Sequence, residues 1–358
     1  IGDGKRAWAR PYNSDNFMRQ WPALSVKGLE PGIFAKQKSA GAILARIVIF
    51  FKFTRITISQ ALKAQQMTEI PFSEIPFIVS ADWLQQNQSQ PTVKICDASS
   101  HLPTTGRDAQ AEFLARRIQG ACHFDINIIA DTTSPLPHTL PSADIFAGHM
   151  RLLGLNDDDH IIVYCDSVHL SAARAWWMLR LFGHAKVSVL NGGLQSWLAI
   201  GGATDSGAPS AVPAGQFSIR SAVGANAINL AGLRALVEDG LAGQIADARS
   251  AGRFAGTEAE PRAGLRAGHI PGSSNVPISS LLSGGALKDK AGLAAAFEAG
   301  GIDTDRPVIT SCGSGVTACG LALALAILGN EKTFVYDGSW SEWGASDAPI
   351  ETGAATKS

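Results

Sequence analysis

Short β-branched runs alternate with longer Ala-rich stretches along most of this chain, and the series is played twice. In the first half, Val93-Lys-Ile-Cys-Asp-Ala-Ser99 and Ile161-Ile-Val-Tyr-Cys165 read as strands. An Ala-rich helix then ends at Gly183, and Val187-Ser-Val-Leu190 enters a Gly/Trp turn closing at Trp197. In the second half, Gln244-Ile-Ala-Asp-Ala-Arg-Ser250, Val308-Ile-Thr-Ser311, an Ala-rich helix ending at Gly329 and Thr333-Phe-Val-Tyr336 repeat the order, with a Gly/Trp turn at Trp340. Shorter motifs keep step: Gly106-Arg-Asp with Gly252-Arg-Phe, and Gly120-Ala-Cys-His-Phe-Asp125 with His269-Ile-Pro-Gly272. Strands alternating with helices predict an α/β fold of two tandem domains, each a central parallel sheet flanked by helices. The Gly-, Ala-, Ser- and Pro-rich stretch Gly201–Gly215 has the composition of a linker. The expected boundaries are 67–205 for the first domain, 206–226 for the linker and 227–358 for the second. Trp176, Trp177 and Met178 lie on an apolar helix and read as core.

Charge changes the picture only at the front of the chain. The 358 residues carry a formal net charge of −1, which offers no general field for nucleic acid. Residues 1–66, however, hold 11 Lys/Arg against 3 Asp/Glu. Their apolar run Gly41–Phe51 is interrupted by Arg46 and too short for a bilayer, which needs about 20 residues. Met67 precedes the first domain, so 1–66 is expected to be a basic extension, disordered or not native. A cytoplasmic protein is expected, or a mitochondrial one if 1–66 is a transit segment. The five cysteines are odd in number and form no C-x-x-C, which points to neither a disulfide framework nor a zinc site. No metal or organic cofactor is expected, and no membrane or nucleic-acid partner.

The chemistry concentrates at Val308-Ile-Thr-Ser-Cys-Gly-Ser-Gly-Val-Thr-Ala318. A strand over 308–310 delivers Cys312 to a glycine-rich bend, and a helix predicted over 316–328 follows at once. Backbone N–H groups converge at such a bend and the helix N-terminus adds partial positive charge, so an anionic sulfur is favoured there. A buried inert thiol is the alternative for Cys312. Cys319, two turns into the helix, reads as core. Gly313–Ala318 also satisfies G-x-G-x-x-A, with Asp337 ending the next strand, so a dinucleotide-binding enzyme is a rival. Against it, few residues follow Asp337 and the first repeat reads Asp166-Ser-Val-His-Leu-Ser171 instead. A Cys-dependent phosphatase would need an arginine where Ala318 stands. The repeat is read as placing Asp166 where Cys312 stands, with Cys165 at the strand end, which predicts a catalytically silent first domain.

These motifs, together with Gly252-Arg-Phe-Ala-Gly-Thr-Glu-Ala-Glu-Pro-Arg262, Gly268-His-Ile-Pro-Gly272 and Asp131-Thr-Thr-Ser-Pro-Leu-Pro-His138, resemble the tandem-domain rhodanese superfamily of sulfurtransferases over about residues 70–350. The resemblance is strongest to the mercaptopyruvate-using members. It implies a site in the cleft between the domains and transfer of sulfane sulfur from 3-mercaptopyruvate through a Cys312 persulfide. Pyruvate would be released, and the sulfur passed to a thiol such as thioredoxin or glutathione, or to cyanide. Thiosulfate is the alternative donor. Relatives that use it carry basic residues after the cysteine, whereas Gly313, Ser314 and Gly315 are uncharged here. The resemblance further implies Ser314 as a catalytic hydroxyl, Arg253 and Arg262 as the carboxylate-binding arginines, and Gly313, Gly315, Val316 and Thr317 as the binding loop. His138 matches a proposed Asp-His-Ser relay, but Asn127 stands where its aspartate is expected, so His138 is catalytic or cleft-lining. His269 is expected to fix a turn, and Arg249 and Arg266 to be structural.

Overall fold

The computed structural model describes residues 75–240 and 243–354. The extension 1–66 and the beginning of the expected first domain lie outside them. Among the described residues the first repeat supplies β1 (Ile78–Val79), β2 (Val93–Asp97), β3 (Arg117–Ile118), β4 (Cys122–His123), β5 (His160–Tyr164), β6 (Val187–Leu190) and β7 (Thr204–Asp205). The second supplies β8 (Asn226–Ile228), β9 (Gln244–Asp247), β10 (Ser273–Asn275), β11 (Leu282–Ser283), β12 (Ala286–Leu287), β13 (Val308–Ser311) and β14 (Thr333–Tyr336). Two five-stranded sheets result, β1-β6-β5-β2-β4 and β8-β14-β13-β9-β10, parallel throughout. Their strand orders are the same once the repeat is superposed, so the sequence repeat is a repeat of topology. β3 with β7, and β11 with β12, form small antiparallel ribbons.

Helices cover these sheets: α1 (Ala81–Asn87), α2 (Ala109–Ala115), α3 (Ala143–Leu152), α4 (Ala172–Leu181) and α5 (Gly193–Ala199) in the first unit, then α6 (Leu230–Glu238), α7 (Ala251–Ala255), α8 (Lys290–Ala299), α9 (Ala318–Leu328) and α10 (Ser339–Trp343). Parallel strands demand such crossovers. Most helices open on a side-chain cap; Ser142, for example, accepts from the Ile145 N–H. α4 and α9 are different. Every residue of α4 is buried, and so are Ala318 through Ala326 of α9. A helix buried on all sides belongs inside a core, and α4 takes Arg174 and Arg180 in with it. These two pack on each other where the repeats meet, so one apolar cluster runs through both units.

Charge is buried at that junction as well. Arg174 of α4 forms an ion pair with Asp337, just after β14, at 2.7 Å. The same guanidinium donates to the His138 carbonyl (2.6 Å) and the Gly315 carbonyl (3.4 Å), and lies over the Trp177 ring. Asp337 also accepts the Leu140 N–H at 2.9 Å. The connection from 206 to 225 carries no helix or strand, yet it is not a loose tether. Phe217 is buried, and Gln216, Phe217 and Ser218 bond to Asp157 and Arg151.

The strand registers correct one expectation. Asp97 pairs with Tyr164 as Asp247 pairs with Ser311. The Leu194 N–H donates to the Cys165 carbonyl as the Trp340 N–H donates to that of Cys312. Cys165, not Asp166, is therefore the counterpart of Cys312. Because Cys165 is itself apolar and buried, it reads as the end of the strand, but β5 stops at Tyr164 and leaves Cys165 as the first residue of the loop.

Removing one partner of a buried pair strands the other charge. Asp337→Ala is expected to destabilise the fold by about 3–5 kcal/mol, read as a lower midpoint of urea unfolding. A second prediction concerns acid. His160 sits buried against Ser188 Oγ at 2.8 Å, and burial, then the charges of His184 and Lys186, lower it from 6.5 to about 4. Between those values the unfolded chain binds a proton that the native one does not, so this residue's share of stability falls as pH falls from 6.5 to 4. His160→Gln should flatten that part of the stability–pH curve.

Candidate active site

Cys312 is the first residue beyond β13 and is 2 % exposed. The helix that follows begins at Ala318, two residues later than the sequence suggested, so 313–317 form a true loop. Ser339 and its neighbours fix that loop from behind. The Cys312 N–H donates to Ser339 Oγ at 3.1 Å, and the Ser341 N–H and hydroxyl both donate to the Gly313 carbonyl. Ser339 holds a left-handed backbone, φ 48°, to do this. Among the described residues no N–H from 313 to 317 donates to another protein group. Five successive amide donors thus remain unspent beside a buried sulfur.

The two glycines have separate reasons. Gly315 has φ 77°, and a Cβ there would lie 2.4 Å from the Asp337 carbonyl oxygen. At Gly313 a Cβ would meet the Arg253 guanidinium at 2.8 Å, so the missing side chain lets that cation approach the cysteine. Ser314 and Val316 are buried within the bend, and Thr317 lines the cleft.

That cleft, about 580 Å³, draws on both units. Arg253, Glu260, Cys312, Gly313 and Thr317 come from the second; Leu102, Thr104, Val168 and His169 come from the first. Arg253 donates to Glu260, which also binds Arg249 at 2.7 Å; Arg249 in turn grips Asp247 and stacks on Trp340. These are buried pairs, and Arg249 is structural as expected. Arg262 is half-buried and, among the described residues, makes no hydrogen bond or ion pair. Burial lowers its affinity for a proton while the nearby Cys312 sulfur raises it, which places the two within electrostatic reach.

His138 lies within electrostatic reach of Arg174 and Arg262, with φ 59° and a buried Nδ1 that has no partner among the described residues. Burial, then the charges of Arg174 and Arg262, lower it to about 4, so it is a neutral imidazole between two cations. The carboxylate acting on it is Asp125. Asn127 is exposed and its amide donates to Asp125 at 2.9 Å. Cys319 is fully buried, donates to the Gly315 carbonyl, and is pushed up to about 12 by burial. His269 is buried, stacked on Phe254 and bonded to its carbonyl, a turn-fixing arrangement. Arg266 bonds three carbonyls near the second Gly/Trp turn. Asp337, committed to Arg174 and Leu140, leaves the dinucleotide reading without its ribose-binding acid.

Sequence reasoning passed over two features. The Arg174–Asp337 clasp joins positions far apart in the chain, and no local signal pairs them. His169 was visible only as part of a loop lacking a glycine pattern.

The glycine geometry is testable. Gly315→Ala should cost about 1 kcal/mol or more in stability, because φ and backbone contact both oppose it. Gly313→Ala should cost little, since Arg253's flexible end can move. Thermal melting of the two variants checks the contrast.

Comparison with known proteins bears on the same residues. Residues 80–200 and 229–346 match the rhodanese-like domain family. A 3-mercaptopyruvate sulfurtransferase of Escherichia coli (strain K12) is 45% identical over 277 residues, covering 77% of this chain and 98% of the relative. One from Mus musculus is 42% identical, covering 74% and 91%. The crystal structure of the 3-mercaptopyruvate sulfotransferase SseA from Escherichia coli superposes with a TM-score of 0.67 at 42% identity, over 74% of this chain and 99% of that one. Two matched copies of the domain, in the fold that both sheets repeat, leave one conclusion: this chain belongs to the rhodanese-like family.

Proposed function

We propose that the cleft transfers sulfur from 3-mercaptopyruvate through Cys312. The observation that carries this reading is the row of unspent amides at 313–317 beside a buried sulfur. Such a loop stabilises negative charge on that sulfur before and after transfer, as an oxyanion hole does. The Cys312 thiolate attacks the substrate sulfur. An S–S bond forms, the substrate C–S bond breaks, and the electron pair leaves on pyruvate enolate, which takes a proton. Cys312 is left as a persulfide. A thiol or cyanide then attacks its outer sulfur and Cys312 departs as thiolate. This is covalent catalysis with ping-pong kinetics.

The mercaptopyruvate carboxylate suits Arg262, whose planar fork is unpaired. Arg253 faces the same cleft with part of its guanidinium held by Glu260. The small uncharged loop Gly313-Ser-Gly315 supports a neutral ketone at this end better than a dianion, and the Ser314 hydroxyl is assigned to the ketone oxygen or to proton relay. Thiosulfate is the runner-up donor and cyanide or a dithiol protein an acceptor that the chemistry admits. Among the described residues no helix is long and apolar enough to cross a membrane, and the proposed compartment is the cytoplasm.

Incubation with 3-mercaptopyruvate should add +32 Da, the mass of one sulfur, to Cys312 and release stoichiometric pyruvate. Cys312→Ser should abolish both, and an unmodified wild-type Cys312 would refute the scheme. Ser314→Lys should move the ratio of kcat/KM values toward thiosulfate; an unchanged ratio would remove the specificity argument.

A further inference from the structure

The first unit's wall of the cleft holds one imidazole with nothing to bond. His169 follows the exposed Val168 on the loop from Cys165 to α4, the loop equivalent to the one carrying Cys312. It lines the cleft with Cys312 and Arg253, and its buried Nε2 has no hydrogen-bond partner among the described residues. The backbone half of the residue is fixed, since its N–H donates to Ser167 Oγ. A buried ring nitrogen left unpaired carries a desolvation cost, and a ligand that supplies the missing oxygen recovers it.

Burial, then the charges of Arg253 and His101, lower the imidazole below its ordinary range, so it faces the cleft neutral. Arg253 spends its Nε and one Nη on Glu260. Arg262 is the unpaired fork, and one fork satisfies one carboxylate. A 2-oxo acid brings a third acceptor oxygen beside that carboxylate, and a donor on the first unit's wall adds to those of the Cys312 loop in serving it.

We propose that His169, from the first unit, is a substrate-binding residue that donates its Nε2–H to the 2-oxo acid end of the sulfur donor. The inference rests on the sulfur-transfer reading above. It gives the first unit a direct part in recognition and makes the binding site a property of the pair of units.

The test is steady-state release of pyruvate from 3-mercaptopyruvate, with 2-mercaptoethanol as acceptor, by the wild-type chain, His169→Leu and His169→Gln. Leucine removes the donor; glutamine keeps a neutral N–H at similar reach. The expected result is a KM for mercaptopyruvate raised about tenfold in His169→Leu, with kcat within about twofold of wild type. His169→Gln should return KM to within about threefold. A structural role would not produce that split or that rescue. An unchanged KM in His169→Leu, an equal loss in both variants, or a loss confined to kcat would each overturn the assignment. A wild-type chain that releases no pyruvate would instead overturn the sulfur-transfer reading, so the two failures are distinct.

Discussion

A guanidinium almost wholly shut off from water decides how the two repeats meet. The Arg174 side chain is 1% exposed, and its charge is answered from the other unit by Asp337. The same group holds the carbonyl of His138 from the first unit and that of Gly315 from the second. A buried ion pair seldom adds much net stability, because desolvation offsets attraction. Its value lies in geometry. An apolar interface between α4 and α9 would tolerate sliding, whereas a charge that is satisfied in only one arrangement does not. The cysteine loop and the 125–140 segment are thereby held in one register.

Much of this fold was legible. The alternation of short β-branched runs with Ala-rich stretches gave both parallel sheets, and the repeat implied two domains of one kind. Cys312 and its glycine bend stood out because a strand, a nucleophile and a helix start coincide there. Arg253 and Arg262 came from the resemblance, but the sequence could not say that one is clamped by a buried glutamate and the other left unpaired. That distinction depends on Glu260, whose burial beside both Arg249 and Arg253 is set by the folded loop. Likewise Cys96 and Cys122, distant in sequence, come to 3.1 Å between sulfurs on neighbouring strands while remaining free thiols. Contacts of this kind are set by strand order, which periodicity does not encode.

The register of β5 was the instructive error. Hydrophobicity identifies a strand's middle well and its end badly, because a buried residue just past the last ladder bond looks the same as one within it. Cys165 is such a residue. Its misplacement by one position put an aspartate where a cysteine stands, so the aspartate is no ground for expecting a silent first unit.

The corrected alignment gives a better reason. Cys165 and Cys312 occupy the same place in the same topology, and both are buried. What differs is the loop. After Cys165 three of the five backbone donors are engaged: the Asp166 N–H goes to Ser99 Oγ, that of His169 to Ser167 Oγ, and that of Leu170 to the Ser167 carbonyl. Asp166 is itself paired with Arg107, which also pairs with Glu112. Burial pushes the Cys165 thiol up, toward the protonated form. After Cys312 none of the five donors is engaged among the described residues, Gly313 carries no side chain, and Arg253 and Arg262 are close by. Under the proposed scheme, what separates the two halves is therefore the five residues that follow the cysteine, since the cysteine itself is present in both.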